Sequence, residues 1–375
     1  MKKTVFIFIL LFISIAQAQK TAIIPAKGPE KGTLFLIGGG ISETQARLFE
    51  KFAGGKDAPI VIIPTAMSDN EIAKNPDFSR IKKRFQKLGI TNISILHTRN
   101  TKEANSDAFV APLKTCQGVF ILGGKTQRIT DAYHTTKVHK ELKALLNRDG
   151  IIAGVSAGSG VQASYFYEHH LQTGFDFLEG VIIMNHFLAR NKQFNHIQEI
   201  KENTQRIAIG IDNGTGILVQ KNVFEVVGNS YVAMFDGSYY DSMNDTITRL
   251  PANSERFYLL KNGDRYNLEK RSIETNSGIT PIELSDEELQ KYTGIFKATN
   301  KDFSIKFLIE NNTLKVKNSW GWNVYPIYPL KKDTFFATNR TMWFQFVREK
   351  GKIVAVKKIK SILQDNVIVT LERQK

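Results

Sequence analysis

The sequence predicts an α/β protein, a doubly wound and mostly parallel sheet, followed by a small antiparallel β domain. Up to Phe235, continuous apolar runs without period-two alternation are separated by helix-spaced stretches, the pattern of a parallel sheet covered on both faces. From Leu284 the character changes to short strand-like pieces joined by tight turns. At 375 residues the chain also exceeds what one core usually holds.

Met1-Lys2-Lys3, the apolar run from Val5 to Ile15 and Ala16-Gln17-Ala18 have the basic, hydrophobic and A-x-A parts of a secretory signal peptide. The expected organisation is a signal peptide over 1–18, an α/β domain over 19–275 and a β domain over 284–375. No later segment approaches the ~20 apolar residues of a spanning helix, so the mature chain is expected to be exported, to the periplasm or beyond the cell, without a membrane span.

The first strand is Thr33–Ile37, closed by Gly38-Gly39-Gly40, and Ser42 and Glu43 open an amphipathic helix through Phe52. Pro59–Ile63 is the next buried strand, and Phe78–Leu88 has helical spacing with a basic outer face. Ile93–Leu96 and Gly118–Leu122 are further strands. Val138–Leu146 is a helix leading to the strand Ile151–Ala153. Val181–Met184 and Ile207–Ile211 are again buried runs, after which 215–220, 223–228 and 231–235 read as antiparallel strands. Around Asn276–Pro281 a Ser/Gly/Pro break precedes the short helix Asp286–Tyr292. Strand pieces then run from Phe303 to Glu372, with Trp320, Trp322 and Trp343 read as core aromatics before ligand contacts.

Composition narrows the function. The net charge is +15, yet the lysines are dispersed and no basic-aromatic motif accompanies them, so a solvated surface is expected and nucleic acid is not. The one cysteine, Cys116, excludes an intramolecular disulfide and reads as a plain buried thiol. His134, His139, His169, His170 and His196 give no metal-ligand spacing, and the glycine triplet lacks nucleotide-binding motifs. No metal and no cofactor are expected.

Sites of such a fold belong at the carboxyl ends of its strands. Three places qualify: Gly38–Gly40, Gly123-Gly124-Lys125-Thr126-Gln127, and Gly154-Val155-Ser156-Ala157-Gly158. The last is a G-x-S-x-G pattern, which by itself is either a nucleophile elbow or only a glycine-rich turn. His186 follows the run 181–184, where a general base would stand, and Asp212-Asn213 follows 207–211. The order serine, histidine, acid or amide differs from the serine, acid, histidine order of an α/β-hydrolase.

With these residues in hand, 30–240 resembles the cyanophycinase and aspartyl dipeptidase family of serine peptidases. The segments that carry the resemblance are Phe35–Gly40, Ile62–Ala66, Phe120–Gly124 through Arg128 and Thr130, Gly154–Ser159, His186-Phe187 through Arg190, and Ile209–Asp212. The resemblance implies a fold akin to class I glutamine amidotransferases, with Ser156 as nucleophile and His186 as general base and leaving-group acid. It implies an oxyanion hole from the N–H groups of Gly124 and Ala157, and substrate contacts from Arg190, Thr126 and Gln127.

The departures matter as much. Family members usually carry a glutamate where Asn213 stands; an amide orients the histidine but does not neutralise its charge, unless Asp212, Glu168 or Glu179 substitutes. Met184 replaces an aspartate of the family pattern, Lys192 and Asn195 replace two arginines, and Thr126 takes a glutamine position that only a shifted Gln127 would refill. Cyanophycin itself is therefore not the expected substrate. The β domain resembles small modules appended to exported penicillin-binding-protein-like hydrolases and adds no catalytic residue. The expectation is an exported serine exopeptidase or isopeptidase with a peptide substrate, a second copy of the chain being the one protein partner left open. The alternative is a catalytically weakened relative that binds peptide or glycan.

Overall fold

The strand β1 (Thr33–Ile37) is buried along its whole length, which requires cover on both faces. In this computed structural model, which describes residues 23–241, 246–249, 256–274, 280–299, 301–319, 324–337, 342–359 and 367–374, that cover comes from helices on one side and from helices plus a second sheet on the other. The expected signal peptide, Trp320 and Trp322 lie outside the described residues.

The strands that follow are β2 (Ile60–Ile63), β3 (Ile93–Ile95), β4 (Gly118–Ile121), β5 (Ile151–Val155), β6 (Ala163–Tyr167), β7 (Leu171–Thr173), β8 (Leu178–Asn185) and β9 (Ile207–Ile211). After them come β10 (Thr215–Gln220), β11 (Val223–Gly228), β12 (Tyr231–Phe235), β13 (Ser238–Asp241), β14 (Thr246–Arg249), β15 (Tyr258–Lys261), β16 (Arg265–Asn267) and β17 (Ser272–Glu274). One sheet has the order β17-β16-β11-β10-β1-β5-β4-β2-β3, and its β1-β5-β4-β2-β3 part is parallel. The second has the order β15-β12-β9-β8-β6-β7, with β6, β8 and β9 parallel.

Side chains alternate across β1. Phe35 and Ile37 pack with Phe49 and Phe85 of the helices Glu43–Phe52 and Ser79–Gln86. Leu34 and Leu36 face the opposite way, into a core shared with Leu142 and Leu145 of the helix Lys137–Asn147 and with Ile183 and Ile209 of the second sheet. Helix ends follow local chemistry: Ser42 caps the first helix, its side chain accepting from the Gln45 N–H while the Gln45 side chain accepts the Ser42 N–H.

One expectation is corrected. The parallel strands do not form one doubly wound sheet: β6, β8 and β9 leave to make the second sheet, whose outer face buries Met184, Phe187 and Phe235. The three runs after Ile211 are antiparallel strands as expected, divided between the two sheets: β10 and β11 pair with each other, and β12 pairs with β9 and β15. Buried strands of both sheets are equally apolar, so period and composition do not tell them apart.

From Gly294 the described strands form one antiparallel sheet. It has its own core, with Tyr292, Phe296, Phe307, Phe335, Phe344 and Phe346 fully or almost fully buried. Trp343 is a core residue, buried with Phe336 and Ile359. Cys116 is buried too, and burial pushes its thiol up to about 11, which keeps it protonated and inert at neutral pH. Among the described residues no helix is long and apolar enough to cross a membrane.

Candidate active site

Four strands end together. Ile37 of β1 lies beside Val155 of β5, and Asn185 of β8 beside Ile211 of β9. Ser156 is therefore the first residue past β5, His186 the first past β8, and Asn213 the second past β9. A parallel bridge between Gly39 and Asn213 ties the two sheets at this point.

Ser156 sits at φ 55° and ψ −115°, and His186 at φ 57°. Such backbone costs about 1–3 kcal/mol per non-glycine residue and persists where the surroundings over-determine it. Here they do: the Ser156 N–H donates to Ile37 O at 2.8 Å, and its carbonyl accepts from Ser159 N and Gly160 N at 2.9 Å each. The glycines of the elbow permit its sharp turn. A Cβ on Gly154 would lie 2.0 Å from Gly158 O, and one on Gly158 would lie 2.1 Å from Ile121 O.

The Ser156 hydroxyl donates to His186 Nε2 at 2.8 Å, and His186 Nδ1 lies 2.6 Å from Asn213 Oδ1. An amide oxygen only accepts, so Nδ1 carries the proton and Nε2 is left bare to receive the serine proton. Gly39 makes room for this relay, since a Cβ there would fall 2.2 Å from Asn213 Oδ1 and 2.5 Å from His186 Nδ1. Burial lowers the histidine's pKa below its usual value; Arg190 and Lys192 push the same way, against the Asn213 hydrogen bond and Asp212. A neutral imidazole is the form a general base needs.

Asp212 directs its hydrogen bonds elsewhere than to the histidine ring. Its carboxylate accepts from Ala189 N at 2.8 Å and from the Ser230 hydroxyl at 2.6 Å, bracing the backbone just after His186. Asp212→Ala removes the charged acceptor shared by the Ala189 N–H and the Ser230 hydroxyl, hydrogen bonds to a charged group being worth about 1.5–3 kcal/mol. We expect a fall of several degrees in Tm, measured by thermal unfolding. Glu179 pairs through its backbone with Lys27 and is exposed. Glu168 receives the Thr126 N–H at 3.5 Å and lies within electrostatic reach of Lys192.

The remaining predicted residues are placed as follows. Gly123 touches the nucleophile, as a Cβ there would sit 3.2 Å from Ser156 Cβ. Gly124 follows at φ 143°, and Lys125 N and the Arg128 guanidinium both donate to Ala66 O, at 2.9 and 3.0 Å, which fixes the adjoining loop. Ala157 opens the short helix Ala157–Gly160, whose first N–H groups have no intrahelical acceptor. Thr126 begins the helix Thr126–Tyr133 with its side chain buried, whereas Gln127 and Arg190 are exposed. Lys192 is partly buried, and burial together with Arg190 lowers its pKa. Sequence reasoning did not single out Asn185, whose signal was its place directly before His186.

The family model of peptidase family S51 matches residues 34–227, a span that holds Ser156, His186, Asn213 and the other predicted site residues. The chain belongs to peptidase family S51. Its curated relatives include the cyanophycinase of a Nostoc species, 25% identical over 279 residues that cover 68% of this chain and 89% of that protein. The cyanophycinase of Synechococcus elongatus is 25% identical over 276 residues, 67% of this chain and 84% of the relative. The crystal structure of a peptidase from an acI-B1 Actinobacterium shares the fold, with a TM-score of 0.51 at 23% identity over 64% of this chain and 98% of that one. Membership of S51 makes the protein a serine-type peptidase.

Proposed function

We propose that this S51 member is an exported serine exopeptidase or isopeptidase in which Ser156 attacks, His186 moves the proton and Asn213 orients the ring. The observation that carries the reading is the relay of 2.8 and 2.6 Å from Ser156 through His186 to Asn213. As Ser156 Oγ bonds to the scissile carbonyl carbon, its proton passes to Nε2. The oxyanion is met by the N–H groups of Ala157 and Gly124, and His186 then protonates the leaving amine. Water repeats the sequence to release the acyl group.

Arg190 and Lys192 make the mouth cationic beside His186, which suits a substrate carboxylate. Glu168, near Thr126, offers the opposite charge to a free amino group. Gln127 supplies an accessible amide. The arginine positions that would read a β-linked aspartyl-arginine unit are Lys192 and Asn195 here, so the substrate is a different short acidic peptide or isopeptide. The mature chain would begin near Gln19, with the segment 284–375 as a separate β domain.

Short peptides and isopeptides with an acidic terminal residue, together with neutral and internally acidic controls, test this reading by mass spectrometry of the products. Cleavage next to the acidic terminal residue is the expected result. Cleavage confined to chain interiors, or of cyanophycin in preference to all of them, would overturn it. Asn213 favours one second reading, a weakened member that binds peptide or glycan through the same mouth; tight binding of these peptides without any turnover would select it.

A further inference from the structure

We propose that Asn185 is a positioning residue that sets the Ala157 N–H of the oxyanion hole, by holding the carbonyl on the other side of the same peptide bond. This rests on the reading of Ser156 and Ala157 as nucleophile and oxyanion donor.

The Asn185 side chain reaches back from the end of β8, and its Nδ2 donates to Ser156 O at 2.7 Å. That carbonyl also receives Ser159 N and Gly160 N at 2.9 Å, so three N–H groups converge on one oxygen. The Ser156–Ala157 peptide is planar and trans, which fixes its N–H opposite its C=O. Pinning the oxygen from the interior therefore aims the Ala157 N–H the other way, toward the serine's reaction partner. Two of the three donors belong to the elbow's own short helix and move with it. Asn185 is the donor that comes from outside, on a strand whose backbone is paired with Ile211.

The surroundings are those of a built contact. Asn185 is 9% exposed, and its Oδ1 is buried with no hydrogen-bond partner among the described residues. An orphaned buried oxygen is costly, so the residue is not retained for stability by that half of its amide. The same residue precedes His186 in the chain. It thus fastens the nucleophile's peptide to the strand that carries the base, and a shift of either would be felt by both.

The test compares wild type with Asn185→Leu, which keeps the shape and removes the donor, and with Asn185→Asp, which keeps the size and turns an oxygen toward Ser156 O. Steady-state kinetics are read as kcat and KM separately, beside the affinity for a peptide boronate and the rate of fluorophosphonate labelling. An oxyanion contact strengthens in the transition state, so kcat is expected to fall about tenfold with KM unchanged. Boronate affinity and labelling rate should fall in parallel. A merely structural role would lower Tm and leave kcat per labelled site and boronate affinity at wild-type values; that result in either folded variant overturns the proposal. If wild type itself neither labels nor hydrolyses any peptide, the functional reading falls and this inference falls with it. Normal labelling of wild type and both variants removes only the inference.

Discussion

Ser156→Ala is expected to lower kcat/KM about 10⁴-fold or more in the peptide assay, with the protein still folded. The alanine keeps the Cβ that sets the elbow's sterics at φ 55° and loses only the atom that lies 2.8 Å from His186 Nε2. Without Oγ no acyl-enzyme forms, and the residual rate comes from the oxyanion donors acting on attack by water. His186→Ala is expected to cost a comparable amount, and the double variant little more than either single one, because the two residues work as one unit. Additive losses in the double variant would show that serine and histidine act independently.

The second large effect is a gain. Asn213→Asp keeps the side chain's shape and puts a carboxylate oxygen where Oδ1 now lies, 2.6 Å from His186 Nδ1. In a serine triad the change from carboxylate to amide costs ~10⁴ in rate, largely because the histidine takes the wrong tautomer. Here Asn213 Oδ1 already selects the correct tautomer, so the carboxylate adds mainly its stabilisation of the imidazolium. A gain of about ten- to hundredfold in kcat is expected, in line with charge-assisted against neutral hydrogen bonds.

The pH profile gives this prediction a second readout. Activity needs the neutral imidazole and is lost as pH falls through the His186 pKa. Burial, with Arg190 and Lys192, lowers that pKa in the wild type, so the acid limb should lie below the usual histidine range. A carboxylate at 213 favours the charged ring, and the limb should move to higher pH while the plateau rises. An unchanged plateau and limb would mean that Asn213 does not govern the base.

Much of this site is legible in the sequence alone. Gly154–Gly158, His186 and Asn213 each follow an apolar run, and the rule that sites gather at strand ends brings them together. The distances 2.8 and 2.6 Å then show that the three side chains touch. What the sequence leaves dark depends on pairing between distant strands. Whether Val181–Met184 joins β5 or founds a second sheet turns on β6 and β9, and nothing local in those residues records it. The role of Asp212 is hidden for the same reason. Beside Asn213 it reads as a spare triad acid, but its oxygens are taken by Ala189 and Ser230, and Ser230 is distant in the chain. A buried asparagine such as Asn185 has no periodic signature, and only its 2.7 Å contact with Ser156 O reveals it.

The central claim is that Ser156 is an activated nucleophile, and it is tested most directly by finding which residue a fluorophosphonate modifies. Wild-type protein should carry one adduct, located by peptide mass mapping on Ser156, and Ser156→Ala should carry none. An adduct on another residue, equal labelling of both proteins, or no labelling of the wild type would contradict the account.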